Sequence, residues 1–246
     1  MKKLLIAMAF AGLSLSSMAQ ETADPTLKYS VATNSFWSNW FVQGNFTWTA
    51  FYSNEEKGMG WTKSPVKDFR RDMGFSAAIG KWFTPGIGIR AKFNGIWGKD
   101  VPKENAYNTC MHNKYWNLQG QALFNLSNLF CGYSPTRVWN ISPYAGIGLV
   151  RNMSLNSYCM AGSAGILNQW RVSKRVQINL DVQYNIMGDD FEGVDESLAY
   201  GGHEKRNHDQ IVSAEIGLTY NLGRCTWNKT PDVDAIKALA QSQIDA

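Results

Sequence analysis

The sequence predicts an all-β chain: an eight-stranded antiparallel up-and-down transmembrane β-barrel with a short C-terminal tail. Three observations carry that prediction. Apolar and polar residues alternate at every position from Val176 to Ile186 (VQINLDVQYNI); the alternation recurs along the chain with turn signals between; and an export signal opens the chain, with no other apolar run of membrane-helix length. Successive side chains of a strand point to opposite faces, so strict alternation calls for an apolar surrounding on one side and a polar one on the other.

The opening MKKLLIAMAFAGLSLSSMAQ has Lys2 and Lys3, an apolar run to about Leu15, and small residues at Ser17 and Ala19. That is the pattern of a secretory signal peptide over residues 1–19. The run falls short of the ~20 apolar residues a spanning helix needs. Residues 20–39 then read as a periplasmic N-terminal segment, 40–222 as the barrel, and 223–246 as a periplasmic tail or the start of a linker. The formal charge of +4 includes Lys2 and Lys3, and the small balance left in the mature chain argues against nucleic acid as a partner.

The first strand, WFVQGNFTWTAFY from Trp40 to Tyr52, sets Trp40, Val42, Phe46, Trp48, Ala50 and Tyr52 against Gln43, Asn45, Thr47 and Thr49. Charges, glycines and Pro65 make 53–72 a long loop before a second strand at about 73–83. Thr84-Pro85-Gly86 is a tight turn, since proline presets its backbone angle and glycine admits conformations a side chain blocks. In the third strand, 87–97, Ile87, Ile89, Ala91, Phe93 and Trp97 alternate with Gly88, Arg90, Lys92 and Asn94, which turns two cations inward.

After a polar stretch at 98–113, the fourth strand opposes Trp116, Leu118, Ala122, Phe124 and Leu126 to Asn117, Gln119, Gln121 and Asn125. The fifth spans 141–150, with Pro143 tolerable near its start and Gly146 and Gly148 inward. A loop at 151–157 leads to the sixth strand, 158–171, and a turn at 172–174 to the seventh, 176–186. After a charged loop at 188–207, the eighth strand places Val212, Ala214, Ile216, Leu218, Tyr220 and Leu222 opposite Ser213, Glu215, Thr219 and Asn221.

Eight strands with long connections alternating with short ones match a bacterial outer-membrane barrel. The termini and short turns belong to the periplasm, and the loops at 53–72, 98–113, 151–157 and 188–207 to the outside. The connection at 127–140 is long where a short turn is expected. A soluble eight-stranded barrel such as a lipocalin would reverse the faces. Trp40, Trp48, Trp97 and Trp116 near strand ends, and a polar face rich in Asn and Gln, favour outer-membrane lipid as the partner of the apolar face.

GKWFTPGIGIRAKFNGIWG at 80–98 resembles the second and third strands of OmpA-family barrels of the Bacteroidetes type. NSFWSNWFVQG at 34–44, LFNLSNLFCGYSPTRVWNISPYAGIG at 123–148 and GLTYNLG at 217–223 share the resemblance, which spans about 34–223. It implies an eight-stranded outer-membrane barrel, usually joined through a periplasmic linker to a peptidoglycan-binding domain. The final TPDVDAIKALAQSQIDA suggests instead the first turns of an amphipathic helix near Asp232. Peptidoglycan would therefore be met through a domain absent from this chain, which is expected to be either a piece of a longer protein or a barrel-only relative.

Arg90, Lys92, Asp181 and Glu215 are the charges the alternation places in the lumen. An eight-stranded interior is just wide enough for side chains to fill, and an unpaired charge there is costly, so these four are expected to pair and plug it; a gated pore is the functional alternative. Topology sets Cys110 and Cys159 at the external end and Cys131 and Cys225 at the periplasmic end. A core of about 30 Å separates the sets by far more than the ~7 Å a disulfide spans, so the expected bridges are Cys110–Cys159 and Cys131–Cys225. His203, Glu204, His208 and Asp209 invite a metal or general-base reading, and Asp189, Asp190, Glu192, Asp195 and Glu196 a calcium reading. Neither set has a completed constellation, so no metal, cofactor or enzyme activity is expected, and a rim-site hydrolase acting on lipid or peptide is the lesser alternative to a structural barrel or a gated pore. Loop chemistry identifies no external ligand.

Overall fold

The computed structural model describes residues 29–31, 35–52, 62–68, 70–99, 112–154, 156–188, 191, 208–227 and 229–231. They form two units. In one, β1 (Tyr29–Val31) pairs antiparallel with β10 (Lys229–Pro231), Ser30 opposite Thr230. Segments of three residues are too short to show alternation, so no sequence pattern marks this pairing. The expected signal peptide and the expected helix near Asp232 lie outside the described residues.

The other unit, Thr33–Trp227, is a closed barrel. Its strands are β2 (Trp40–Tyr52), β3 (Arg71–Trp82), β4 (Ile87–Lys99), β5 (His112–Phe124), β6 (Trp139–Asn152), β7 (Ser157–Arg171), β8 (Val176–Met187) and β9 (Asp209–Leu222). Each pairs antiparallel with the next, and β2 closes on β9 from Trp40 opposite Leu222 to Tyr52 opposite Gln210. Every strand has 12 to 15 residues, more than the 9–11 or so that a tilted strand needs to cross a bilayer.

The side-chain faces decide between lipid and water. On β8, Ile178, Leu180, Val182, Tyr184 and Ile186 are exposed, while Asn179, Asp181 and Gln183 are wholly buried. Exposed Phe46, Phe75, Ile89, Phe93, Leu118, Ile147, Ile166, Ile216 and Leu218 carry the apolar face round the barrel. A water-soluble monomer rarely exposes so continuous an apolar surface; a barrel set in hydrocarbon requires it. Among the described residues no helix is long and apolar enough to cross a membrane, and the strands take that role. The chain is a membrane-spanning β-barrel protein.

Local chemistry explains the connections. At 83–86, Thr84 Oγ1 accepts from the Gly86 and Ile87 amides, and the Phe83 and Thr84 amides donate to the Ile87 carbonyl. The long connection at 127–140 holds a helix, α1 (Leu126–Cys131), capped by the Asn125 side chain, which accepts from the Asn128 amide at 3.0 Å. Gly132 follows with φ of 67°, a value that favours glycine. The Arg137 guanidinium donates to the Ser127, Cys131 and Gly132 carbonyls, satisfying the helix end. Leu126, expected on the fourth strand, therefore belongs to α1, because the Asn125 cap turns the chain out of the sheet.

Strand ends move by a few residues from their expected places. Arg71 and Asp72 pair with Ala50 and Thr49 and so belong to β3, and Arg151, Asn152 and Ser157 close a tighter β6–β7 hairpin than a loop at 151–157 allows. Backbone pairing continues into polar residues once the strands emerge from the apolar layer, which hydropathy cannot register.

Candidate functional site

The barrel interior is built from inward positions of all eight barrel strands. Alternation on β4 turns Arg90 and Lys92 inward, on β8 Asp181, and on β9 Glu215; all four are buried. Asp181 and Glu215 are direct cross-strand partners in the register. Arg90 Nη2 lies 3.0 Å from Asp181 Oδ2, Lys92 Nζ 3.0 Å from the same oxygen, and Lys92 Nζ 2.8 Å from Glu215 Oε1. Lys92 thus bridges two carboxylates that would otherwise repel across adjacent strands.

Neutral side chains complete the network. Arg90 donates through Nε to Gln121 Oε1 and through Nη1 to Gln43 Oε1, both at 2.8 Å, and its guanidinium lies 4.6 Å from the centre of the Tyr144 ring. Tyr144 donates its hydroxyl proton to Asp181 Oδ1 at 2.6 Å. Glu215 Oε2 accepts from Ser76 at 2.6 Å and from Asn45 at 3.0 Å, while Lys92 also donates to Gln183 Oε1 at 2.9 Å. Gln119, Gln121, Gln183 and Asn185 then link to one another by hydrogen bonds of 2.7–2.8 Å between their side-chain amides. Two cations face two anions, and hydrogen bonds from Tyr144 to Asp181 and from Ser76 and Asn45 to Glu215 add to the ion pairing that offsets their removal from water.

Sequence alternation did not single out the apolar residues that share this inward face. Phe51, Tyr115, Val150, Cys159, Ala161, Met187 and Ile211 form one buried cluster with Phe191, toward the end of the barrel that carries the β8–β9 connection. Phe191 comes from the β8–β9 connection, stacks edge-on to Tyr115 at 5.1 Å and accepts from Asn152 Nδ2 through its carbonyl at 2.9 Å. Phe41, Leu123, Tyr144 and Leu167 form a second cluster toward the opposite end, where β2 begins and β9 finishes, with Trp82 against it. The polar network is therefore bounded by apolar layers on both sides. Tyr144 was legible in principle, since it shares its inward parity with Ser142, Gly146 and Gly148. Phe191 carried no periodic signal.

Tight contacts fix the amide layer. A Cβ at Gly148 would sit 2.7 Å from the Gln119 side chain and 2.1 Å from the Leu118 carbonyl, and one at Gly146 2.6 Å from Gln121. Glycine here lets β6 approach β5 closely while the two glutamine side chains lie across the lumen.

Cys131 and Cys225 are unbridged thiols, so the expected Cys131–Cys225 disulfide does not form. Cys131 ends α1 on the exposed surface, while the Cys225 thiol turns back onto its own chain, donating to the Gly223 carbonyl at 3.3 Å. Burial pushes the Cys225 thiol up, against the smaller opposing effect of Arg175, and keeps it protonated at neutral pH. Cys131 is expected to react with a maleimide without prior reduction; labelling that appears only after reductant would restore the bridge. Cys110 lies outside the described residues, and Cys159 is buried in the cluster around Phe191.

His203, Glu204 and the acidic residues Asp189, Asp190, Glu192, Asp195 and Glu196 also lie outside the described residues. His208 is exposed before β9, and Asp209 is buried at its first position. Among the described residues no group of three His, Cys, Asp or Glu side chains is placed to hold a metal ion.

No family model matches the chain. It is 30% identical over 161 residues to Outer membrane protein 40 of Porphyromonas gingivalis, an alignment covering 63% of this chain and 41% of that protein. The chain thus spans about two-fifths of the length of the curated relative it matches. Among solved structures, Neisserial surface protein A is 12% identical with a TM-score of 0.45, covering 75% of this chain and 98% of that one. The outer membrane protein OprG of Pseudomonas aeruginosa is 9% identical with a TM-score of 0.44, covering 76% and 99%.

Proposed function

We propose that this outer-membrane barrel serves as a closed structural element of the OmpA-like type, contributing envelope integrity and surface contacts rather than catalysis or bulk transport. The observation that carries the reading is the interior: a charge-balanced network, held by amides and Tyr144, between two apolar clusters. Water or ions would have to break buried ion pairs and pass both apolar layers. On this reading the chain is not an enzyme. Its partners are outer-membrane lipid along the apolar belt and, in a longer protein carrying a wall-binding region, peptidoglycan.

A narrow pore gated by rearrangement of the ion pairs is the reading to test against it, because Lys92 already contacts both carboxylates and provides the step such a rearrangement would use. Refolded protein in planar bilayers is expected to give no steady unit conductance. Steady currents that change when Arg90 and Glu215 are replaced by Gln would establish the gated path instead. Heat-modifiable migration of the same preparation checks that the barrel is folded.

A further inference from the structure

The periplasmic end of the barrel carries charge of one sign. Lys81, Arg137, Arg171, Lys174, Arg175 and Arg224 lie in or beside its turns and strand ends, and segments 34–42, 80–88, 123–140, 168–178 and 218–228 contain no Asp or Glu. The external end differs: Arg71, for example, pairs with Asp68 at 2.6 Å. Two of the six cations already serve the fold. Lys81 donates to the Phe36 and Ser38 carbonyls beside the Phe36 and Trp40 rings, and Arg137 closes α1.

The β7–β8 turn holds three of the others, Arg171, Lys174 and Arg175, within five residues. Ser173 Oγ accepts from the Arg175 and Val176 amides, so the turn meets its own backbone needs and leaves Lys174 and Arg175 exposed. Arg175 Nη1 reaches Tyr220 Oη at 3.5 Å on the outward face of β9. Tyr220 and Trp170 are themselves exposed on the lipid side. Aromatic rings of this kind sit at headgroup depth, which places the two cations where headgroup phosphates lie.

We propose that the β7–β8 turn binds the phosphates of anionic phospholipids in the periplasmic leaflet through Lys174 and Arg175, with Tyr220 and Trp170 seated at the interface. The proposal rests on the chain being a membrane-spanning barrel and adds a lipid class and a place. A basic residue beside an anionic leaflet contributes about fivefold in affinity, so two would supply up to about thirtyfold before salt screening.

The test uses the full chain refolded into phosphatidylcholine vesicles containing phosphatidylglycerol. Lipid retained after mild detergent extraction is then counted by mass spectrometry. The wild type is expected to retain phosphatidylglycerol at least about threefold above its bulk share, less so as ionic strength rises. K174Q/R175Q should return the ratio to bulk, and K63Q/K67Q at the external end should leave it unchanged. Unaltered, salt-independent retention in a K174Q/R175Q barrel that still shows heat-modifiable migration would overturn the proposal, as would loss of retention in K63Q/K67Q alone. If retention instead responds only to added soluble peptidoglycan fragments or an acidic protein, the rim serves that partner and not lipid. Failure of the wild type to insert would be a different result, overturning the barrel reading itself; the salt series on wild-type protein decides the proposal should the variant not fold.

Discussion

Replacing Asp181 by Ala is expected to destabilise the barrel by about 3–5 kcal/mol, the cost of breaking a buried ion pair from one side. The substitution strips Arg90 of its carboxylate, removes one of the two carboxylates on Lys92 and leaves the Tyr144 hydroxyl without its acceptor. Both cations are buried, so neither finds water in exchange. Urea unfolding of vesicle-embedded protein, followed by tryptophan fluorescence, reads the loss. The double variant R90Q/D181N should recover at least half of it, because removing both charges also removes their desolvation; a double-mutant cycle separates the pair from its surroundings. A loss below about 1 kcal/mol for Asp181→Ala would mean that water reaches the network, and the closed-barrel reading would fail with it.

The second large effect is expected on the opposite face of the same strand. Val182 adjoins Asp181 in the middle of β8 but points outward among Leu180 and Tyr184, all three exposed. Val182→Arg should cost about 2–4 kcal/mol if that face meets the middle of a bilayer. In a water-soluble barrel the same change at an exposed site would fall within about 0.5 kcal/mol. One substitution therefore distinguishes the two solvents that alternation alone leaves open. Thr at the same position is nearly isosteric and is expected to cost far less.

Much of this architecture was legible because a strand in lipid has only one way to satisfy a period of two. The sequence VQINLDVQYNI places Asp181 inward as soon as Val182 is outward, and the same reasoning turns Arg90 and Lys92 toward it from β4. What remained hidden follows from what periodicity ignores. Phe41, Phe51, Leu123 and Leu167 are apolar residues on the polar face; hydropathy reads them as exceptions, yet they fill the ends of a lumen too narrow for water-solvated side chains. Arg70 and Phe191 are buried from outside the strands, Arg70 through bonds to the Thr62 and Phe51 carbonyls, and connections have no repeat from which to predict burial. The helix at 126–131 is too short for an amphipathic signature, and only the Asn125 cap marks it. The Cys131–Cys225 bridge is absent for a related reason: topology limits which thiols share an end, but the direction of a thiol after a strand end depends on local backbone that no pattern encodes.

The interior network also constrains how such a chain can assemble. Its members come from β2, β3, β4, β5, β6, β8 and β9, and Glu215 meets Asn45 across 170 positions of sequence. An open sheet holding any consecutive three of these strands has no partner set for its charges, so the contacts that offset their removal from water arrive only when β9 meets β2. Long-range pairing of this kind makes formation slow and cooperative. Entry of the strands into hydrocarbon and closure of the ring are thereby tied into a single event, and a half-inserted sheet is the state that Arg90, Lys92, Asp181 and Glu215 make least accessible.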